Sequence, residues 1–109
     1  MNNKIKFFRY KVAVGITFKK LREEMRADGI KVSQQNLNND IFVKYGKTWN
    51  AGREESLPNT TLENLLFICD YYKITTEELF KSVNLISAKD IDDAIANKKK
   101  LSKLYNALH

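Results

Sequence analysis

The stretch Ser33-Gln34-Gln35-Asn36-Leu37 decides how the rest of the chain is read. Ser33 belongs to the residue types that open helices, because its hydroxyl accepts a hydrogen bond from a free N–H of the first turn. Leu37 and Ile41 follow four apart, the spacing of one helical face. Upstream, Phe18, Leu21 and Met25 mark a charged helix over about residues 16–28, closed by Gly29. Downstream, Ile41, Phe42 and Val43 run into a short basic and aromatic segment, Lys44 to Asn50. The stretch is therefore either the capped start of one more surface helix or the first arm of a two-helix unit.

Further hydroxyl residues announce further helices. Thr60-Thr61-Leu62-Glu63 and Thr75-Thr76-Glu77-Glu78 both fit the capping box, in which the fourth residue bonds back to the cap, and Ser87-Ala88-Lys89-Asp90 is a weaker version. Leu62, Leu65, Leu66, Cys69 and Tyr72 give a solid apolar stripe over residues 61–72, and Leu79 and Phe80 anchor a short helix after Thr76. Ile91, Ala94, Ile95, Leu101, Leu104, Tyr105 and Leu108 predict one long final helix, interrupted on its apolar side by Lys98. In residues 1–14, Phe8, Tyr10, Val12 and Val14 alternate with Arg9, Lys11 and Ala13, which favours an extended arm or strand over a backward extension of the first helix. The expected fold is compact and all-α, with residues 1–14 as an arm, 15–82 as the main domain and 83–109 as an additional C-terminal helix.

The 109 residues suit one small domain, and 43% hydrophobic with 29% charged residues is a globular rather than a disordered balance. No apolar run approaches the roughly 18 residues that cross a bilayer, and basic residues break up the N-terminus too often for a signal peptide. A single cysteine excludes an internal disulfide, and Cys69 in an apolar stripe reads as an inert buried thiol. These features predict a cytoplasmic protein. The formal net charge is +6, and residues 1–32 hold nine of the 19 basic residues against only Glu23, Glu24 and Asp28. A basic front end attracts a polyanion, nucleic acid or an anionic membrane surface, although it also suits a solvated surface.

Short helices in tight succession, with a basic–aromatic segment after the second, are the pattern of a helix-turn-helix. One helix crosses the phosphate backbone and the next presents residues to base edges. The first needs a free N-terminus and a polar side chain aimed at phosphate, and Gln34, just after the cap, supplies it. The second needs hydrogen-bonding residues, offered by Lys44, Tyr45, Lys47, Thr48 and Asn50. Arg53 would touch backbone phosphate, and Trp49 reads as a core plug beside Phe42 or Val43 rather than a contact to a thymine methyl.

Over roughly residues 15–81 the sequence also resembles the lambda-repressor/Cro-like, or XRE, helix-turn-helix regulators. Gly15-Ile16-Thr17-Phe18-Lys19-Lys20-Leu21-Arg22 is similar to the family's opening G-x-x-I-x-x-L-R, Ser33 to Leu37 to its S-Q-x-x-L, and Pro58 to Phe80 to its closing pair of helices. The resemblance implies a five-helix lambda-repressor-like domain, a phosphate contact from Gln34 and a sequence-specific regulator of transcription. The chain departs from the pattern where Asn38 replaces an alanine, where Phe42 falls on the turn glycine, and where Asn50-Ala51-Gly52 stands for the E-x-G that closes the reading helix. Two registers stay open. Either Val43 plugs the core and the reading helix starts near Lys44 or Tyr45, or the second helix runs to Tyr45, Gly46 turns, and the reading helix starts near Lys47.

The expected function is a DNA-binding transcriptional regulator, a repressor acting on duplex DNA as a homodimer paired through residues 88–108. The alternative is a protein-interaction module on the same scaffold: an antitoxin, an antirepressor or an inhibitor of another protein. Enzyme chemistry is not expected. One histidine, one cysteine, no glycine-rich phosphate loop and no clustered ligands leave nothing for nucleophilic or metal catalysis, and no cofactor is implied. Asp92-Asp93 and Glu54-Glu55 are sequence neighbours, which a helix points to different sides.

Overall fold

The computed structural model describes residues 2–27 and 29–109. Those residues form seven helices and one small antiparallel pairing: α1 (Asn3–Glu24), β1 (Arg26–Ala27), β2 (Ile30–Lys31), α2 (Gln34–Tyr45), α3 (Ala51–Glu54), α4 (Leu62–Tyr72), α5 (Thr76–Asn84), α6 (Ala88–Asn97) and α7 (Lys99–Asn106).

The N-terminal arm is a correction. Residues 3–24 are one helix, opened by the Asn2 side chain, which accepts from the Ile5 N–H at 2.8 Å. The alternation of Phe8, Tyr10, Val12 and Val14 concealed a helical spacing: Ile5, Phe8 and Val12 are buried on one face while Phe7 and Tyr10 stay exposed. The helix also ends earlier than its predicted close at residue 28, because Met25 is extended and Arg26–Ala27 pairs with Ile30–Lys31. Gly29, at φ 77°, lies between those two strands instead of capping the helix. Asp28 is outside the described residues.

Helix α1 is the spine of the molecule and serves two cores. Its C-terminal half delivers Phe18 to a cluster with Leu37 and Ile41 of α2, Trp49, Ile68 of α4 and Leu79 of α5. Its N-terminal half delivers Phe8 and Val12 to a second cluster with Ile95 of α6 and Leu101 of α7. Between them Gly15 lets the helix approach the chain after α3, since a Cβ there would lie 2.7 Å from the Ser56 carbonyl oxygen.

The second cluster revises the C-terminal prediction. Residues 83–109 are not one helix: Val83 and Asn84 finish α5, and α6 and α7 are separated at Lys98, which is extended at φ −114°, ψ 110°. On an unbroken helix Ile95 and Leu101 would sit about 120° apart, at roughly 100° per residue. The break brings both into the same core, and Ser102 Oγ donating to the Ile95 carbonyl at 2.6 Å stitches it. The apolar stripe is thereby covered by α1 of the same chain, leaving Leu104 exposed.

Three of the four predicted caps form where expected, and the fourth shifts by one residue. Ser33, Thr75 and Ser87 accept from the third N–H of their helices, and Thr75 with Glu78 forms the full capping box. Thr61, not Thr60, caps α4, accepting from Asn64 N–H at 3.1 Å, so Glu63 falls one place short of the box position. Cys69 is buried, and that burial pushes its thiol pKa up. Among the described residues no helix is long and apolar enough to cross a membrane.

Candidate nucleic-acid interface

Helix α2 runs to Tyr45, and Gly46 at φ 65° closes it, its N–H donating to the Phe42 carbonyl at 2.9 Å. This follows the second of the two registers as far as the turn. The reading helix does not start at Lys47, however. Residues 47–50 form no helix or strand, and α3 is a single turn from Ala51 to Glu54. Two anchors set this path. Trp49 is 3% exposed and packs edge-on against Phe18 at 5.4 Å and Phe67 at 6.2 Å, as the core reading expected. Asn38 Oδ1 accepts from the Ala51 N–H at 2.9 Å, and Asn50 caps the turn by accepting from Arg53 N–H at 3.1 Å. The Asn38 that breaks the family pattern is thus the residue that fixes where α3 begins.

The first turn of α2 rests on a buried ion pair. Arg22 donates from Nε and Nη2 to the Glu55 carboxylate at 2.8–3.0 Å and from Nη1 to the Val32 carbonyl at 3.0 Å. Gln34 Nε2 donates to the same carboxylate at 3.2 Å. Gln34 is exposed, and one of its two amide hydrogens remains for an outside acceptor. The Glu54 side chain is wholly buried; its Oε1 accepts from Asn59 N–H at 3.2 Å and pairs with Arg53 Nε at 3.4 Å, while Oε2 has no partner. Glu54 and Glu55 do point to different surroundings, but both are inside. Sequence reasoning did not locate Arg22, 33 positions away, as the partner.

The remaining expected residues divide. Lys44, Lys47, Thr48, Asn50 and Arg53 are all exposed on or after the end of α2. The Lys44 ammonium lies 5.4 Å from the Tyr45 ring centre, and Lys47 Nζ is 2.9 Å from Glu63 Oε1. Tyr45 is half-buried: it stacks on Phe67 at 5.3 Å and donates to Asp70 Oδ2 at 2.5 Å. Burial and that carboxylate push its phenol up to about 12. The outer face of α2 carries the amides Gln35, Asn36 and Asn39, to which the motif reading gives no role. It also carries Phe42 and Val43, 62% and 84% exposed, a correction to the expectation that Val43 plugs the core or that either packs there beside Trp49. Their signal was present in the three- and four-residue spacing of 35, 36, 39, 42 and 43.

Among the described residues no group of three or more His, Cys, Asp or Glu side chains could hold a metal ion. No family model, no curated protein and no solved structure matches this chain.

Proposed function

We propose that the chain is a sequence-specific DNA-binding regulator of transcription, a repressor built on a lambda-repressor/Cro-like helix-turn-helix whose five helices correspond to α1–α5. The observation that carries this reading is the capped, open N-terminus of α2, with Gln34, Gln35 and Asn36 exposed, standing beside an exposed segment that bears Lys44, Lys47, Thr48, Asn50 and Arg53. A helix N-terminus attracts phosphate through its free N–H groups and dipole. The lysines and Arg53 supply affinity by neutralising phosphates, while amides and hydroxyls supply base contacts. With α3 reduced to one turn, base reading falls to the outer face of α2 and the irregular 47–50 segment. Pairing of two copies on a two-fold DNA site belongs to the same proposal, through surfaces other than the 88–108 stripe.

Titration into random duplex DNA and into the gene's own upstream region, at rising salt, tests it. The expected result is binding to both, tighter to the upstream region, with log K falling linearly against log salt. Absent or salt-insensitive binding overturns the reading.

One observation favours a second reading, a protein-interaction module such as an antitoxin, an antirepressor or an inhibitor. Phe42 and Val43 both protrude from α2, about 100° apart around it, and exposed apolar groups this large suit a protein partner. Recovery of one stoichiometric protein partner with no DNA bound supports that reading. A partner that survives Lys44→Ala with Lys47→Ala, while DNA binding is lost, shows both activities in one chain.

A further inference from the structure

Between the second half of α2 and the 47–50 segment lies an open hollow of about 360 Å³, lined by Asn38, Phe42, Thr48, Trp49 and Asn50. Its unengaged hydrogen-bonding groups are mostly donors. Asn38 Oδ1 already accepts from the Ala51 N–H and Asn50 Oδ1 from the Arg53 N–H, so each oxygen keeps one lone pair while the NH₂ group is the amide end that no described residue engages. Trp49 lends its ring to the wall; its indole N–H is buried, with no acceptor among the described residues. The Thr48 hydroxyl can both donate and accept. No carboxylate lines the hollow, and the largely exposed Phe42 ring forms its apolar part.

Resting on the DNA-binding reading, we propose that this hollow is a base-reading subsite selective for a keto base, thymine or guanine, in the major groove. There thymine shows the O4 acceptor and its methyl group, and guanine shows the N7 and O6 acceptors. Adenine and cytosine each show an amino donor. An asparagine with a free oxygen pairs with adenine through both its oxygen and its nitrogen. Here each oxygen is already shared with a backbone N–H, which weakens that pairing, while the unengaged NH₂ groups meet the acceptors of a keto base and oppose the amino donors of adenine and cytosine. Phe42 offers the apolar contact that a thymine methyl takes and that guanine lacks.

The test starts from duplexes enriched from a random pool by the full chain. In the best site each thymine is replaced singly by uracil, which removes only the methyl, and each guanine by 7-deazaguanine, which removes only the N7 acceptor. One position per bound copy is expected to require a keto base, with adenine or cytosine there weakening binding about tenfold or more. If the base is thymine, uracil weakens the wild type but not Phe42→Ala; if guanine, the deaza base weakens binding. Asn50→Ser keeps an acceptor for the α3 cap, removes the amide donors and relaxes the preference at that position alone. Sequence-preferring binding without a keto requirement, or a keto preference that neither Asn50→Ser nor Phe42→Ala alters, overturns the subsite and leaves the DNA-binding reading standing. Failure to bind any duplex in the pool overturns both.

Discussion

Arg22 and Glu55 meet fork to fork inside the protein, with Nε 2.8 Å from Oε2 and Nη2 2.9 Å from Oε1. The pair ties α1 to the end of α3, and through Gln34 and the Val32 carbonyl it also sets the start of α2. Both side chains are largely buried, so removing one partner strands the other's charge in a low dielectric. Arg22→Ala is expected to cost about 3–5 kcal/mol, and Arg22→Lys less, since charge remains while the fork is lost. Urea denaturation measures it. A cost under about 1 kcal/mol for Arg22→Ala would mean the pair behaves as an exposed one.

Gly15 offers a test in which two effects have opposite signs. Helix propensity alone makes Gly15→Ala stabilising by about 1 kcal/mol. The added Cβ would meet the Ser56 carbonyl oxygen at 2.7 Å, however, and that atom is backbone, which cannot swing aside. Overpacking of this kind costs about 1–3 kcal/mol, so the net expectation is a lower denaturation midpoint. A stabilised Gly15→Ala protein would show that α1 does not lie this close to residue 56.

Leu101 decides what the C-terminal helices are for. It is 1% exposed and joins α7 to Phe8 and Val12 of α1 within one chain. Leu101→Ala is expected to cost about 2–5 kcal/mol, with a wild-type unfolding midpoint that does not change with protein concentration. A midpoint that rises with concentration, and a variant that merely dissociates, would return the stripe to a dimer interface.

The local signals were legible because they are local. Ser33, Thr75 with Glu78, and Ser87 act within their own first turns, so a short window of sequence contains both partners. Although its expected neighbours Phe42 and Val43 are exposed and Phe18 and Phe67 take their place, Trp49 itself was legible as core. The path of residues 47–50 was not, since it depends on Asn38 reaching Ala51 across 13 positions and on Phe18 and Phe67 receiving the indole. Helix α1 misread as a strand for a related reason: its exposed Phe7 and Tyr10 blur the buried face that two separate cores define. Break points such as Lys98 follow from packing, for nothing in a run of three lysines forbids a helix from continuing.

Three tyrosines make the fold sensitive to alkali. Burial first, and then a carboxylate partner, pushes Tyr45 (beside Asp70) and Tyr71 (beside Asp40) up to about 12. Tyr72 moves the same way, chiefly by burial and next by Glu55. Against an ordinary value of 10 the folded state holds these protons longer than the unfolded one. Their contribution is therefore complete below about pH 10 and is lost as pH climbs through about 12. Urea midpoints should fall across that window, and Tyr45→Phe should make the fall shallower while lowering the plateau through the lost Asp70 bond. A midpoint flat to pH 12 contradicts the assignment.

Lys47 stands at the centre of the proposed DNA face but is engaged, 2.9 Å from the exposed Glu63. An exposed pair holds weakly, so phosphate can draw the ammonium away. Glu63 also sets a negative charge close to where the DNA backbone would lie. Lys47→Ala and Arg53→Ala are each expected to weaken binding about equally for all sequences and to reduce the salt slope by about one. Glu63→Gln should do the reverse, raising affinity a few-fold at low salt, with the gain fading as salt is added. Fluorescence anisotropy with a labelled duplex over a salt series reads all three variants. If Glu63→Gln leaves low-salt affinity unchanged while Lys47→Ala lowers it, Lys47 acts through the fold and not through phosphate.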